Sequence, residues 1–329
     1  MVRHNKITKQ QIIKNKAKIH NYWTNRDCFI FKPYFDGSIE NYIGTIKHYK
    51  KLIFSDYDNL QACIDNINNL CPVINREKFH SRFHYRSIFN KPLEYSLYKL
   101  TDLEQLTFGE SFNQPLSNSL DKLINLINIT FGESFNQQLS SSLDQLINLT
   151  LITFGKSFNQ PISKSFDKLI NLEQLIFGND FNQELSSSLD QLTNLKKLIF
   201  GKSFNQPLDN LLNKLKNLIE LGIGVSFNQD LYLTLNIKIL TLNCNNQTLV
   251  DSLPNSIEQL NLAYLFNLPL DNLPNSIKKL SFYPDSYYNN PLNNLPISLE
   301  LLELPNKYKL EIKYFPPNCK IFMNNLLPL

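Results

Sequence analysis

The stretch Leu103–Leu116, which reads LEQLTFGESFNQPL, decides the fold because most of it returns at a fixed interval. Its Phe-Asn-Gln motif begins at residues 112, 135, 158, 181, 204 and 227, always 23 residues apart. Self-similarity at a period of about 20–50 residues is the sequence signature of a solenoid. Six of the nine glycines keep one phase of this repeat: Gly109, Gly132, Gly155, Gly178, Gly201 and Gly224. A glycine held in one phase indicates either a positive φ or a close approach of two backbones.

Each repeat contains one short strand and one apolar segment that faces it. Leu106 and Phe108 alternate with Thr107, which predicts a strand with two inward side chains. Stacked copies of this strand would pair and bury a continuous column. The opposite side is predicted to be a short helical turn, because its apolar residues are spaced by four, three and three: Leu116, Leu120, Leu123 and Leu126.

The expected fold is therefore an α/β repeat solenoid. It is a curved array with short parallel strands on one face and short helical or extended turns on the other. We place a basic tail or capping helix at 1–28 and the array at 29–329. Within the array we expect degenerate repeats at 29–79, regular repeats at 80–235, shorter Leu-Pro-x-Ser repeats at 236–305 and a cap at 306–329. Counting a long turn from Phe54 to Tyr85, this predicts thirteen turns, with a fourteenth around Phe322 as a frayed cap.

Asparagine is unusually common, with 44 residues, and many of them keep the phase of the repeat. One column follows the strand: Asn90, Asn113, Asn136, Asn159, Asn182, Asn205 and Asn228. A stacked amide can hydrogen-bond the backbone where the chain turns. We therefore expect this column and the neighbouring Phe column to be structural.

The distribution of charge and the cysteine content limit which partners and which compartment the sequence suits. Residues 1–26 carry seven basic and no acidic side chains, whereas the remainder has a net charge of −3. The body does not suit nucleic acid; the tail is compatible with RNA, an anionic membrane, an import receptor or a solvated helix. No run approaches eighteen apolar residues, so no membrane span is expected. Five scattered cysteines indicate a reducing compartment, and we expect the cytoplasm.

The sequence offers no convincing site for catalysis, a cofactor or a metal ion. Gly155-Lys156-Ser157 lacks the earlier glycine of a phosphate-binding loop. The spacing of Cys63, Cys71, His80 and His84 matches no strong zinc pattern. We therefore predict that the protein is not an enzyme and needs no cofactor.

The Leu-x-x-Leu-x-Leu skeleton resembles a leucine-rich repeat, and its details resemble the FNIP repeat family. Phe-Asn-x-Pro followed by Leu or Ile occurs at 89–93, 112–116, 158–162, 204–208 and 266–270, and Leu253-Pro254-x-Ser256 matches the family's other half. The resemblance covers 80–305 closely and 29–79 weakly. It implies an interaction scaffold of a kind found in amoebae and giant viruses, so the compartment would be the host cytoplasm if the protein is viral. Some relatives carry an F-box that docks on a ubiquitin ligase, but residues 1–28 are too short and too basic for one.

The functional prediction is a scaffold that binds a protein partner through its strand face. The candidate residues are the outward strand positions: Gln105, Thr107, Asn128, Thr130, Leu151, Thr153, Gln174, Ile176, Lys197, Ile199 and Glu220. We expect Leu151, Ile176 and Ile199 to be exposed, because an apolar strip rimmed by polar groups is typical of a partner site. The alternatives are a ubiquitin-ligase substrate receptor and, less favoured, a nucleic-acid binder that uses the tail.

Overall fold

The computed structural model describes residues 21–68, 85–233 and 236–323. Within them, fourteen strands form one sheet in the order of the chain. All neighbours are parallel except the first pair, which is an antiparallel hairpin. The strands are β1 Tyr22–Asn25, β2 Cys28–Phe31, β3 Lys51–Phe54, β4 Gln105–Thr107, β5 Asn128–Thr130, β6 Leu151–Thr153, β7 Gln174–Ile176, β8 Lys197–Ile199, β9 Glu220–Ile223, β10 Ile239–Leu242, β11 Gln259–Leu262, β12 Lys279–Phe282, β13 Leu301–Leu304 and β14 Lys320–Met323.

The strands stack in register, which confirms the predicted solenoid. Leu106 pairs with Ile129, and Ile129 pairs with Ile152. These side chains and the following Phe108 are almost completely buried. One continuous core therefore runs through about 12 turns, because each turn buries its apolar side chains against its neighbours.

The hairpin of β1 and β2 closes one end of the array. Tyr22 stacks on Phe29 with ring centroids 4.5 Å apart, and Tyr42 contacts Phe31 edge-on at 5.2 Å. β1 lies in the segment that the sequence assigned to the tail. The tail or capping helix was expected at 1–28; its described part forms β1 and the start of β2 instead of a helix, and residues 1–20 lie outside the described residues.

The side opposite the strands contains less helix than predicted. The helices in the described residues are one 3₁₀ helix, Ile39–Tyr42, and four short α-helices: α1 Ile43–Ile46, α2 Leu60–Asn68, α3 Asp209–Leu212 and α4 Gln247–Asp251. In the regular repeats the chain instead makes successive i to i+3 turns. The amide of Ser119 donates to the Leu116 carbonyl at 2.8 Å, and that of Leu123 donates to Leu120 at 2.9 Å.

The reason is local. Ser117 and Ser140, which directly follow the first apolar residue of this segment, have φ values near 45°, which no α-helix accommodates. The Leu-Pro-x-Ser repeats have a side-chain contact between turns in this segment. There, Ser276 Oγ donates to the Ile257 carbonyl of the preceding turn at 2.7 Å.

Two columns of phenylalanine rings fill the corner after each strand. Phe158 lies between Phe135 and Phe181, with centroids 6.1 and 6.0 Å away, and it stacks on Phe154 of its own turn at 4.0 Å. All four rings are completely buried. These distances lie in the favourable range for offset aromatic pairs, so the columns join neighbouring turns.

The glycine column is explained by close backbone approach. None of the glycines in the described residues has a positive φ. A Cβ atom added to Gly155 would lie 2.0 Å from the carbonyl oxygen of Gly132. Of the two readings that the sequence left open, positive φ is therefore wrong and close approach is correct.

Two asparagine ladders connect the turns. In the predicted one, the amide of Asn159 donates to Asn136 Oδ1 at 2.9 Å, and Asn159 Oδ1 accepts from the amide of Asn182 at 2.9 Å. The second ladder lies just before each strand, where the side-chain amide of one turn donates to a backbone carbonyl of the turn before at 2.8–2.9 Å. Its members are Asn125, Asn148, Asn171, Asn194 and Asn217. Both ladders satisfy polar backbone groups that the strands do not reach.

The long segment after β3 is an insertion within a single turn. β3 pairs directly with β4, and the amide of Tyr85 donates to the Asp56 carbonyl at 2.6 Å. The chain therefore leaves the array after Asp56 and returns at Tyr85. The separate turn that the sequence predicted here is wrong. The other twelve expected turns are those of β2 to β13, and β14 lies where the frayed fourteenth turn was expected.

Candidate functional site

The predicted site residues form two aligned columns on the strand face. The first outward column begins each strand and contains Gln105, Asn128, Leu151, Gln174, Lys197 and Glu220. The second outward column lies two residues later and contains Thr107, Thr130, Thr153, Ile176 and Ile199. Parallel pairing in one register therefore brings all eleven residues to the same face of the sheet.

The two columns differ in exposure, which corrects one expectation. In the first column Gln174 is exposed and Leu151 is half-buried. In the second column Ile176 and Ile199 are only 7% and 1% exposed, so the prediction that both are exposed is wrong. Ile199 lies close over Gly222, since a Cβ atom at that glycine would be 2.6 Å from Ile199 Cδ1. The side chain that is missing at Gly222 leaves room for Ile199 to lie against the sheet.

Charges on the strand face are paired between neighbouring turns. Lys197 Nζ lies 2.9 Å from Glu220 Oε1 in the next strand. Just before the strands, Lys196 Nζ lies 2.6 Å from Glu173 Oε1. Surface pairs of this kind contribute little to stability. They do present alternating positive and negative groups, which suits selection of a partner.

The insertion covers the strand face at the capped end of the array. Ile30 and Ile53 point to the same face as Thr107 and are buried under Tyr57 and Cys63. Cys63 belongs to α2, so this helix lies on the sheet over β2 and β3. Among the described residues, the first outward column is accessible to a partner from β5 onward, because Gln105 of β4 is only 8% exposed. In the second column Thr130 and Thr153 are buried as well.

Asp56 fastens the base of the insertion. Its Oδ1 accepts hydrogen bonds from the amides of Ser87 at 2.9 Å and Glu110 at 2.8 Å. Burial raises the pKa of Asp56 to about 7, against the lowering effect of these two bonds, and the charges of Glu110 and Glu133 raise it further. This carboxylate therefore changes charge near neutral pH.

The candidates for metal or membrane binding gain no support. Cys63 is buried against the sheet, whereas Cys71, His80 and His84 lie outside the described residues. In the part of the chain that the structure describes, no group of three or more His, Cys, Asp or Glu side chains is arranged to hold a metal ion. None of the helices there is long and apolar enough to cross a membrane.

Sequence reasoning missed the residues that directly precede the strands. This third column contains Ile127 and Ile219, which are 38% and 43% exposed, and the ion pair of Glu173 and Lys196. The signal in the sequence was that the residue type at this position of the repeat varies from turn to turn. It was overlooked because these residues lie outside the period-two alternation of the strand.

Known structures share this architecture. The internalin InlF of Listeria monocytogenes superposes with a TM-score of 0.54 over 90% of this chain and 86% of that chain, at 15% sequence identity. The fold is that of a leucine-rich-repeat protein. The circular leucine-rich-repeat protein CroV588 aligns at 22% identity and a TM-score of 0.35. The alignment covers 92% of this chain but only 60% of the length of CroV588. A leucine-rich-repeat protein of Leptospira interrogans aligns at 17% identity and a TM-score of 0.37, over 84% of this chain and 79% of that chain.

At these identities the likeness of the leucine-rich-repeat structures shows the fold alone. No protein-family model matches the chain, and no curated protein sequence matches it. The function of this leucine-rich-repeat array therefore has to be argued from its own surfaces.

Proposed function

We propose that the protein is a non-catalytic interaction scaffold that binds a protein partner through its strand face. The observation that carries this proposal is where the turns differ from one another. The phenylalanine, glycine and asparagine columns repeat because each has a structural contact, as described above. The first outward column instead reads Gln, Asn, Leu, Gln, Lys and Glu from β4 to β9. Specificity in a repeat scaffold resides where the copies vary.

The packing of α2 supports the choice of this face. Tyr57 and Cys63 cover Ile30 and Ile53 and leave them at most 2% exposed. The strand face is thus able to bury the apolar side chains of a segment that lies across it. A partner that crosses β5 to β9 would meet the first outward column and the ion pair of Lys197 and Glu220.

Family and compartment are part of the same proposal. Membership in the FNIP repeat family is supported by the stacked Phe-Asn and Leu-Pro-x-Ser motifs. A cytoplasmic location, in the host cell if the protein is viral, is supported by the free thiols of the four cysteines in the described residues, Cys28, Cys63, Cys244 and Cys319. The ubiquitin-ligase alternative gains no specific observation and stays a prediction of the sequence.

The test uses a partner captured by the wild-type chain and identified by mass spectrometry. Leu151→Glu with Gln174→Lys changes the strand face at half-buried and exposed positions. Ile199 is unsuitable, because an aspartate there would bury a charge and destabilise the fold. The control, Gln145→Lys with Lys168→Glu, introduces the same two residue types at exposed positions on the opposite side.

We expect the strand-face variant to lose at least about tenfold in affinity for the captured partner. The control should bind like wild type, and all three proteins should have the same circular dichroism spectrum. If the melting temperature of the double variant is lowered, Gln174→Lys alone is used in its place. Undiminished binding by the strand-face variants would contradict the proposal.

A further inference from the structure

A groove of about 620 Å³ lies where the strands begin, beside the strand face. It spans the turns of β3 to β6, and its walls include Asp102, Glu104, Asn125, Ile127 and Asn148. It is distinct from the two outward columns, because these residues come before the strands. Its chemistry is set by the second asparagine ladder.

The ladder fixes which end of each amide is left for a ligand. Asn125 Nδ2 donates to the Thr101 carbonyl at 2.9 Å, and Asn148 Nδ2 donates to the Ile124 carbonyl at 2.8 Å. Since a carbonyl oxygen accepts, the amide atom that faces it must be the nitrogen. Both residues are exposed, so their side-chain oxygens remain as acceptors at the groove.

Asp102 occupies the ladder position 23 residues before Asn125 and breaks its pattern. A carboxylate cannot donate the ladder hydrogen bond, so this residue replaces a structural amide with an exposed negative charge. Glu104 lies beside it and is paired with Lys50, which also lines the groove. The groove therefore holds two carboxylates and one ammonium group, which leaves an excess of one negative charge.

An apolar strip borders the groove. Ile127 is 38% exposed within it, and Ile124, Ile147 and Ile170 are 51%, 51% and 53% exposed in successive turns. Single exposed apolar side chains are ordinary. These four lie in neighbouring turns of one stack, so they form a continuous patch of the kind that marks an interaction site. We call them the isoleucine strip.

We propose that the groove binds a basic segment of a protein partner. An arginine side chain would enter the groove, with its guanidinium on Asp102 and the oxygens of Asn125 and Asn148, while an adjacent apolar residue packs on the isoleucine strip. Arginine fits better than lysine, because its planar head offers five donors to several acceptors at once. The proposal rests on the scaffold function above and names the chemistry of the partner.

The test measures binding of a fluorescein-labelled peptide, Gly-Leu-Arg-Leu-Arg-Leu-Gly, to the full chain by fluorescence anisotropy. The control peptide carries citrulline, a neutral isostere, in place of both arginines. Asp102→Asn removes the charge and installs the residue that the repeat uses elsewhere, so it should fold normally. Asp144→Asn removes a carboxylate from the opposite side of the array and serves as the matched control.

We expect wild type and Asp144→Asn to bind the arginine peptide at least about tenfold more tightly than the citrulline peptide, and Asp102→Asn to lose that preference. Equal binding of the two peptides to wild type, or an unchanged preference in Asp102→Asn, would overturn the proposal.

Capture of the partner separates this failure from failure of the scaffold function. A partner lost by Leu151→Glu with Gln174→Lys but fully retained by Asp102→Asn would refute the groove and leave the strand face standing. A partner retained by both variants would contradict both proposals.

Discussion

Substitution of Gly155 by alanine tests the stacking of the turns most simply. The added methyl carbon would lie 2.0 Å from the carbonyl oxygen and 2.4 Å from the carbonyl carbon of Gly132. Both are backbone atoms, so rotation of a side chain cannot relieve the contact and the two turns must separate. Overpacking of this kind costs about 1–3 kcal/mol. Separation also strains the hydrogen bond from the Ser157 amide to the Glu133 carbonyl, 2.9 Å long, worth about 1 kcal/mol.

The expected loss in the free energy of unfolding is therefore about 3 kcal/mol, measured from urea unfolding followed by circular dichroism. Gly44 provides the matched control. It lies in α1, and an added Cβ atom meets nothing within 4 Å. Gly44→Ala should be neutral or stabilise the protein by up to about 1 kcal/mol. If the two variants unfold at the same urea concentration, the close-approach explanation of the glycine column is wrong.

Two further predictions concern the core and the insertion. Phe158→Ala should lower the free energy of unfolding by about 3–5 kcal/mol, because the Phe158 ring is completely buried. The control is Phe322→Ala, at a ring that is 54% exposed. Its free energy of unfolding should lie within about 0.5 kcal/mol of wild type in the same urea experiment. Because the pKa of Asp56 is about 7 in the folded protein and about 3.9 when unfolded, it contributes stability that is present at pH 4 and is lost as the pH rises through 7. Asp56→Asn keeps an acceptor for both amides but cannot titrate. The difference in unfolding free energy between wild type and this variant should therefore change between pH 5 and pH 8. A difference that stays constant would contradict a buried carboxylate that titrates.

Much of the fold is predictable because it follows from one period. The spacing of 23 residues places Leu106, Phe108 and Phe112 in register with their copies, and pairing turns that register into buried columns. The Asn159 ladder follows from the same reasoning. The ladder of Asn125 and its copies has the same period but was missed, because its residues lie outside the Phe-Asn motif.

The 23-residue period does not predict the geometry between neighbouring turns. Ile199 is outward in register and yet buried, since its exposure depends on Gly222 in the next strand. The segment from Leu116 to Leu126 has a spacing that fits either a helix or successive tight turns, and the positive φ of Ser117 selects the turns. The path of α2 onto the sheet depends on contacts of Tyr57 and Cys63, which lie outside the repeated motif.

The central claim is that a protein partner lies on the strand face, and photo-cross-linking tests it directly. A photoreactive phenylalanine analogue is placed at Gln174 on that face or at Gln145 on the opposite side, both exposed. The partner captured by wild type is then irradiated with each variant, and the products are separated by mass. We expect a covalent adduct from position 174 and none from position 145. An adduct from position 145 alone would contradict the claim.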